Sequence, residues 1–160
     1  RGGDVLPRAA AEPGGVPLPP VWILGSSDSG PRAAAQFGTG FAFARHLNPR
    51  GAADACRAYR DAFRPSPSWP RPRVILALGA LCADSEADHA YTPNEDDQRR
   101  RYLNVQVLGA PDQVAARLRE LADECVADEV MVMTLVYDHE ARCRSYRLLA
   151  EAMGLPAVAA

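Results

Sequence analysis

The chain has 160 residues, 48% apolar and 24% charged, which suits one globular domain with a real hydrophobic core. A net charge of -2 offers nothing to attract nucleic acid, and no apolar run approaches the roughly 20 residues that span a bilayer. Four cysteines at 56, 82, 125 and 143 lack Cys-x-x-Cys spacing, so no zinc site is expected; buried, reduced thiols in a cytoplasmic protein are.

All 18 basic residues are arginine. They are scattered except for Arg99-Arg100-Arg101, which sits among Glu95, Asp96 and Asp97 and reads as a solvated helical face. The first residue is Arg1, not methionine, and the expectation is a processed chain or a piece of something longer.

Residues 1–20 are rich in Pro, Gly and Ala and predict an irregular lead-in. Apolar runs then predict strands at Val21–Leu24, Phe41–Ala44, Val74–Cys82 and Val130–Val136. The runs are continuous rather than alternating, as in strands buried on both faces of a parallel sheet covered by helices. Between them fall helical stripes. A short helix fits Pro31–Phe37, closed by Gly38. Asn48 can cap a second helix, with Pro49 at its first position and Ala52, Cys56, Tyr59 and Phe63 on one face. Pro111 opens a third, with Val114, Leu118, Leu121 and Cys125 inward. Asp138 can cap the last, whose stripe is Cys143, Tyr146, Leu149 and Met153 before Gly154 and Pro156.

Repeated βα units imply right-handed crossovers and a parallel sheet. About four units make half of an eight-stranded barrel, which typically takes about 250 residues. A small doubly wound sheet uses the same pattern.

Chemistry concentrates where the first strand ends. Gly25-Ser26-Ser27-Asp28-Ser29-Gly30 is a small-residue bend leading straight into a helix, where free amides and the helix dipole favour an anion and serine hydroxyls add donors. A phosphate monoester suits such a bend; so does a plain capping turn that binds nothing. No Gly-x-Gly-x-x-Gly fingerprint, P-loop or nucleophile elbow is present.

Trp22-Ile23-Leu24-Gly25-Ser26-Ser27, the helix that follows and Phe41-Ala42-Phe43-Ala44 resemble the fifth and sixth βα units of the luciferase-like flavin-dependent monooxygenases. Gly109-Ala110-Pro111-Asp112-Gln113-Val114 resembles the turn before that family's seventh helix. Asp128–Val132 with Tyr137–Arg142 and Ser145-Tyr146 resembles its eighth strand and helix. The likeness runs from about residue 20 to residue 155, leaving 156–160 as a tail.

The resemblance implies the C-terminal half of a (β/α)8 TIM barrel, using reduced FMN (or, in some branches, a deazaflavin) and oxygen on a small organic substrate. It also implies a separate flavin reductase, and either a missing N-terminal half or a homodimer to complete the barrel. Ser26 and Ser27 match the family's flavin-phosphate contacts. Gly30 stands where relatives carry a hydroxyl, unless Ser29 substitutes. His46, after the second strand, stands near the barrel mouth as the candidate catalytic residue, where it accepts a proton or simply packs. Ala110 replaces the usual Ser or Thr cap. A flavin-binding module without turnover and a remnant without ligand are the alternatives.

Overall fold

The computed structural model describes residues 19–83 and 105–156. The lead-in over residues 1–18, the arginine triplet with its acidic neighbours, His89 and the tail beyond residue 156 lie outside the described residues. The elements are β1 (Trp22–Gly25), α1 (Ser29–Phe37), β2 (Gly40–Ala44), α2 (Ala52–Ala62), β3 (Val74–Cys82), β4 (Gln106–Gly109), α3 (Pro111–Glu124), β5 (Glu129–Met133) and α4 (His139–Ala152).

All strand pairs are parallel. Ile75, Leu76 and Ala77 of β3 have partners in both β2 and β5, so these two strands flank it. With β1 beside β2, the main order is β1-β2-β3-β5, the order of the sequence. Right-handed crossovers between strands laid down in sequence put every helix on the same face. A doubly wound sheet needs helices on both faces, so that alternative is excluded.

Burial follows the same division. Phe41, Phe43, Val74, Leu76, Leu78 and Ala80 pack with helix residues including Tyr59, Val114, Leu118 and Leu121 in one dry core. Residues on the opposite face of the strands are less covered: Leu24 is 67% exposed, Met131 57% and Met133 40%. The expectation of strands buried on both faces therefore fails at β1 and β5. Glu129, Met131 and Met133 alternate with the half-buried Val130 and Val132, because helices cover only one side of this edge strand.

Three local readings are corrected by the structure. The polar segment before α3 ends in an unforeseen strand, β4, paired to Gly79–Cys82. Gln106 occupies the space a Cβ on Gly79 would need, at 2.8 Å, so this pairing depends on a glycine 27 positions away. α2 begins at Ala52 rather than beside Pro49, because the Asn48 side-chain oxygen takes the Gly51 amide (3.2 Å) in a turn before the helix. The buried stripe of α4 runs through Ser145 and Leu149 and leaves Cys143 only half-buried, since the Ser145 hydroxyl accepts from the Cys82 amide (3.0 Å). Cys56, Cys82 and Cys125 are buried as expected, and burial pushes the Cys82 thiol up to about 11.

The last strand stops at Met133 rather than Val136 and α1 starts at Ser29 rather than Pro31, whereas two helix ends fall where expected. Gly38, at φ 60°, closes α1 in the left-handed conformation, and the Asp138 carboxylate caps α4 through the Ala141 amide at 2.7 Å. Ala110 has no oxygen for the α3 amides, but the Gln113 side chain accepts from the Ala110 amide at 3.2 Å, which keeps half of a capping box.

The strand starts are pinned by one polar node. The Tyr59 hydroxyl donates to the Thr39 carbonyl (2.8 Å) and accepts from the Arg73 amide (3.2 Å). Asp128 accepts from the Val74 amide and from Arg60, each at 2.7 Å, and its own amide donates to the Val74 carbonyl. Burial pushes the Tyr59 phenol up, so it stays neutral and free to donate. The starts of β2, β3 and β5 are thus fixed relative to α2.

Arg60 also grips the Val126 carbonyl (3.0 and 2.6 Å). Val126 ends α3 at φ 48°, a conformation that costs a β-branched residue about 1–2 kcal/mol.

Two outcomes follow, each readable by urea denaturation. Asp128→Ala should lower stability by about 2–3 kcal/mol and Tyr59→Phe by about 1–2 kcal/mol, since each leaves backbone groups unpaired; changes below 0.5 kcal/mol would show that the node does not hold the strands. Val126→Gly should raise stability by about 1 kcal/mol through relief of strain. A loss of stability there would mean the left-handed turn is not strained.

Candidate functional site

Parallel pairing aligns the ends of neighbouring strands. Gly25, the last residue of β1, lies opposite Phe43, one residue before the end of β2. The loops that follow, Ser26–Asp28 and Arg45–Gly51, therefore emerge side by side at the C-terminal end of the sheet. The Asn48 amide nitrogen joins them by donating to the Ser26 carbonyl at 2.9 Å.

The first loop runs directly into α1. Its N-cap residue, Asp28, has helical backbone angles (φ -65°, ψ -18°), and no side chain caps the helix. Among the described residues, no backbone hydrogen bond outside the helices and strands uses an amide of residues 27–30 as donor. Ser27 and Ser29 are exposed, and their hydroxyl oxygens lie 3.1 Å apart. This is a free helix N-terminus flanked by two hydroxyls that can turn toward a guest. The exposed Asp28 carboxylate is the one feature that opposes a second negative charge there.

Gly30 is the second residue of α1. A Cβ on it would stand 3.3 Å from both the Gly25 Cα and the Phe41 ring, so the first turn of the helix packs on the end of β1 backbone to backbone. A hydroxyl-bearing residue at position 30 would push those neighbours apart by a few tenths of an ångström. The neighbouring Ser29 carries its hydroxyl 3.1 Å from that of Ser27.

His46 lies in the second loop, two residues before Asn48. It is half-buried, and its Nδ1 is a buried atom without a hydrogen-bond partner. A buried ring nitrogen without a partner is an unmet polar requirement in that loop.

Other sequence candidates are accounted for structurally. Thr134 is buried, donates its hydroxyl to the Ala80 carbonyl (2.8 Å), and gives its amide to the Tyr146 hydroxyl (3.0 Å). His139, at the start of α4, sits 3.0 Å from Arg142 and 3.6 Å from the Cys143 sulfur. The residue that sequence reasoning misplaced is Asn48. Asn-Pro reads as a helix cap, and only the pairing of β1 with β2 reveals its contact 22 residues back.

No protein-family model matches the sequence. The chain is 30% identical to the uncharacterised protein YwcH of Bacillus subtilis, across 92% of this chain and 54% of that protein. It is 28% identical to a luciferase-like monooxygenase of Escherichia coli strain K12, across 91% of this chain and 52% of its relative. Among solved structures it superposes on apo-MsnO8 with a TM-score of 0.78 and 30% identity, covering 97% of this chain and 57% of that one. A riboflavin lyase, RcaE, solved with modified FMN and riboflavin, shares the fold at a TM-score of 0.58 and 15% identity, over 87% of this chain and 44% of that one. The sheet is thus part of a luciferase-like TIM barrel, about half of one. By sequence and by fold, the chain belongs to the luciferase-like monooxygenase family and spans about half the length of the curated relatives it matches.

Proposed function

We propose that this chain is the flavin-phosphate-binding half of a flavin-dependent monooxygenase. The observation that carries this reading is the uncapped start of α1 beside the Ser27 and Ser29 hydroxyls. Unengaged amides at a helix N-terminus form an anion site, and a phosphate monoester fits its charge and size. Ser26, Ser27, Ser29 and Gly30 would hold the phosphate of reduced FMN, the Gly30 amide serving where a side-chain hydroxyl is lacking. When bound, reduced FMN supplies the chemistry that brings oxygen to an organic substrate. A deazaflavin with a phosphate tail would seat in the same way.

His46 is the proton-handling candidate. Its buried Nδ1 lacks a partner and would accept a hydrogen bond or a proton once a ligand or a turn of the ring exposes it. A separate reductase would deliver the reduced flavin.

The face of the sheet that no described helix covers supports a further part of this reading. Leu24, Met131 and Met133 are exposed there, and among the described residues β1 and β5 each have one unpaired edge. Further βα units would cover that face, or a second copy of the chain would do so. The chain alone is expected to give little or no turnover with reduced FMN and oxygen. Light scattering on the purified chain should show self-association; a compact monomer that binds little hydrophobic dye would count against this part.

The phosphate site is tested by titrating FMN and riboflavin against wild type and Ser27→Ala. Wild type should prefer FMN, and Ser27→Ala should lose about 1.5–3 kcal/mol of that preference. Equal affinity for the two flavins, or no effect of the substitution, would sink the assignment.

A further inference from the structure

We infer that Asn48 is a positioning residue that aims the Ser27 amide outward and so sets the affinity of the turn for a phosphate group. This inference rests on the reading of that turn as a phosphate site.

The peptide bond is planar. In a trans peptide the carbonyl and the following N–H point in opposite directions. The Ser26 carbonyl is held by the Asn48 amide nitrogen at 2.9 Å, which draws it toward the second loop. The Ser27 N–H, on the same peptide plane, must then point away from that loop. With this bond absent, no other hydrogen bond among the described residues holds the Ser26 carbonyl, and the plane is free to rotate. A rotated plane presents a carbonyl oxygen, not a donor, to an anion.

Asn48 can hold this pose because both ends of its amide are used. Its oxygen accepts the Gly51 amide at 3.2 Å, which orients the nitrogen toward Ser26. Gly51 leaves room for the arrangement: a Cβ there would lie 2.7 Å from the Asn48 nitrogen. The chemistry asks for an amide at position 48, with an acceptor on one side and a donor on the other. Aspartate is isosteric but has no donor when ionised, and it sets two oxygens against each other.

The test compares wild type, Asn48→Asp and Asn48→Ala for binding of inorganic phosphate and of FMN, with thermal melting of each protein without ligand. The expected result is FMN binding about tenfold weaker in both variants, the loss of one well-placed hydrogen bond's influence. Phosphate binding should fall in parallel. Asn48→Asp, which keeps the Gly51 turn, should melt close to wild type, so lost affinity cannot be assigned to unfolding. If Asn48→Ala fails to fold, Asn48→Asp decides through amide exchange at Ser27 faster than in wild type, which the added negative charge does not itself produce. Wild-type affinity in Asn48→Asp would overturn the role of Asn48 while leaving the phosphate site in place. A wild-type protein that binds neither probe would overturn both.

Discussion

The order of the strands is the constraint from which the other features follow. Four parallel strands laid side by side in sequence order can be joined only by crossovers that all fall on one face. One consequence is a sheet with a dry, helix-covered side and an apolar side that no described helix reaches. Another is that every loop following a strand leaves from the same end. The serine turn and the His46 loop are neighbours for that reason alone, although 20 residues separate Ser26 from His46 in sequence.

The two ends of the sheet are built differently. At the strand starts, Tyr59, Asp128, Arg60 and Arg73 make a network whose partners are mainly backbone groups. These bonds fix the positions of strands and tolerate little change. At the strand ends, the first turn of α1 has no cap and His46 has an unmatched nitrogen. Unsatisfied groups carry a stability cost unless a ligand or solvent meets them, and the fold places them together at the end where parallel barrels present their loops. In the proposed reading, the end that fixes the strands supports the end that would bind the ligand.

Much of the fold was legible in the sequence because its signals are local. Continuous apolar runs marked the central strands, and the Cys56, Tyr59 spacing marked the inward face of α2. Gly38 and Asp138 stopped and started helices where local chemistry dictates. What escaped were features that depend on distant partners. β4 is four residues long and exists through pairing with β3. The true inward face of α4 follows Ser145, a polar residue that no hydrophobic stripe would select. Asn48 read as a cap because its contact with Ser26 arises only once β1 and β2 lie together. The serine turn itself was visible, as a bend of small residues before a helix; the absence of a capping bond there needed the structure.

The central claim is that free amides at the start of α1 form the receptor for an anionic flavin tail. Proton–nitrogen correlation spectra of the chain, recorded while inorganic phosphate is added, address it most directly. The account predicts saturable shifts concentrated on the amides of Ser27, Asp28, Ser29 and Gly30. Shifts spread evenly over the surface, or centred on residues elsewhere, would contradict it.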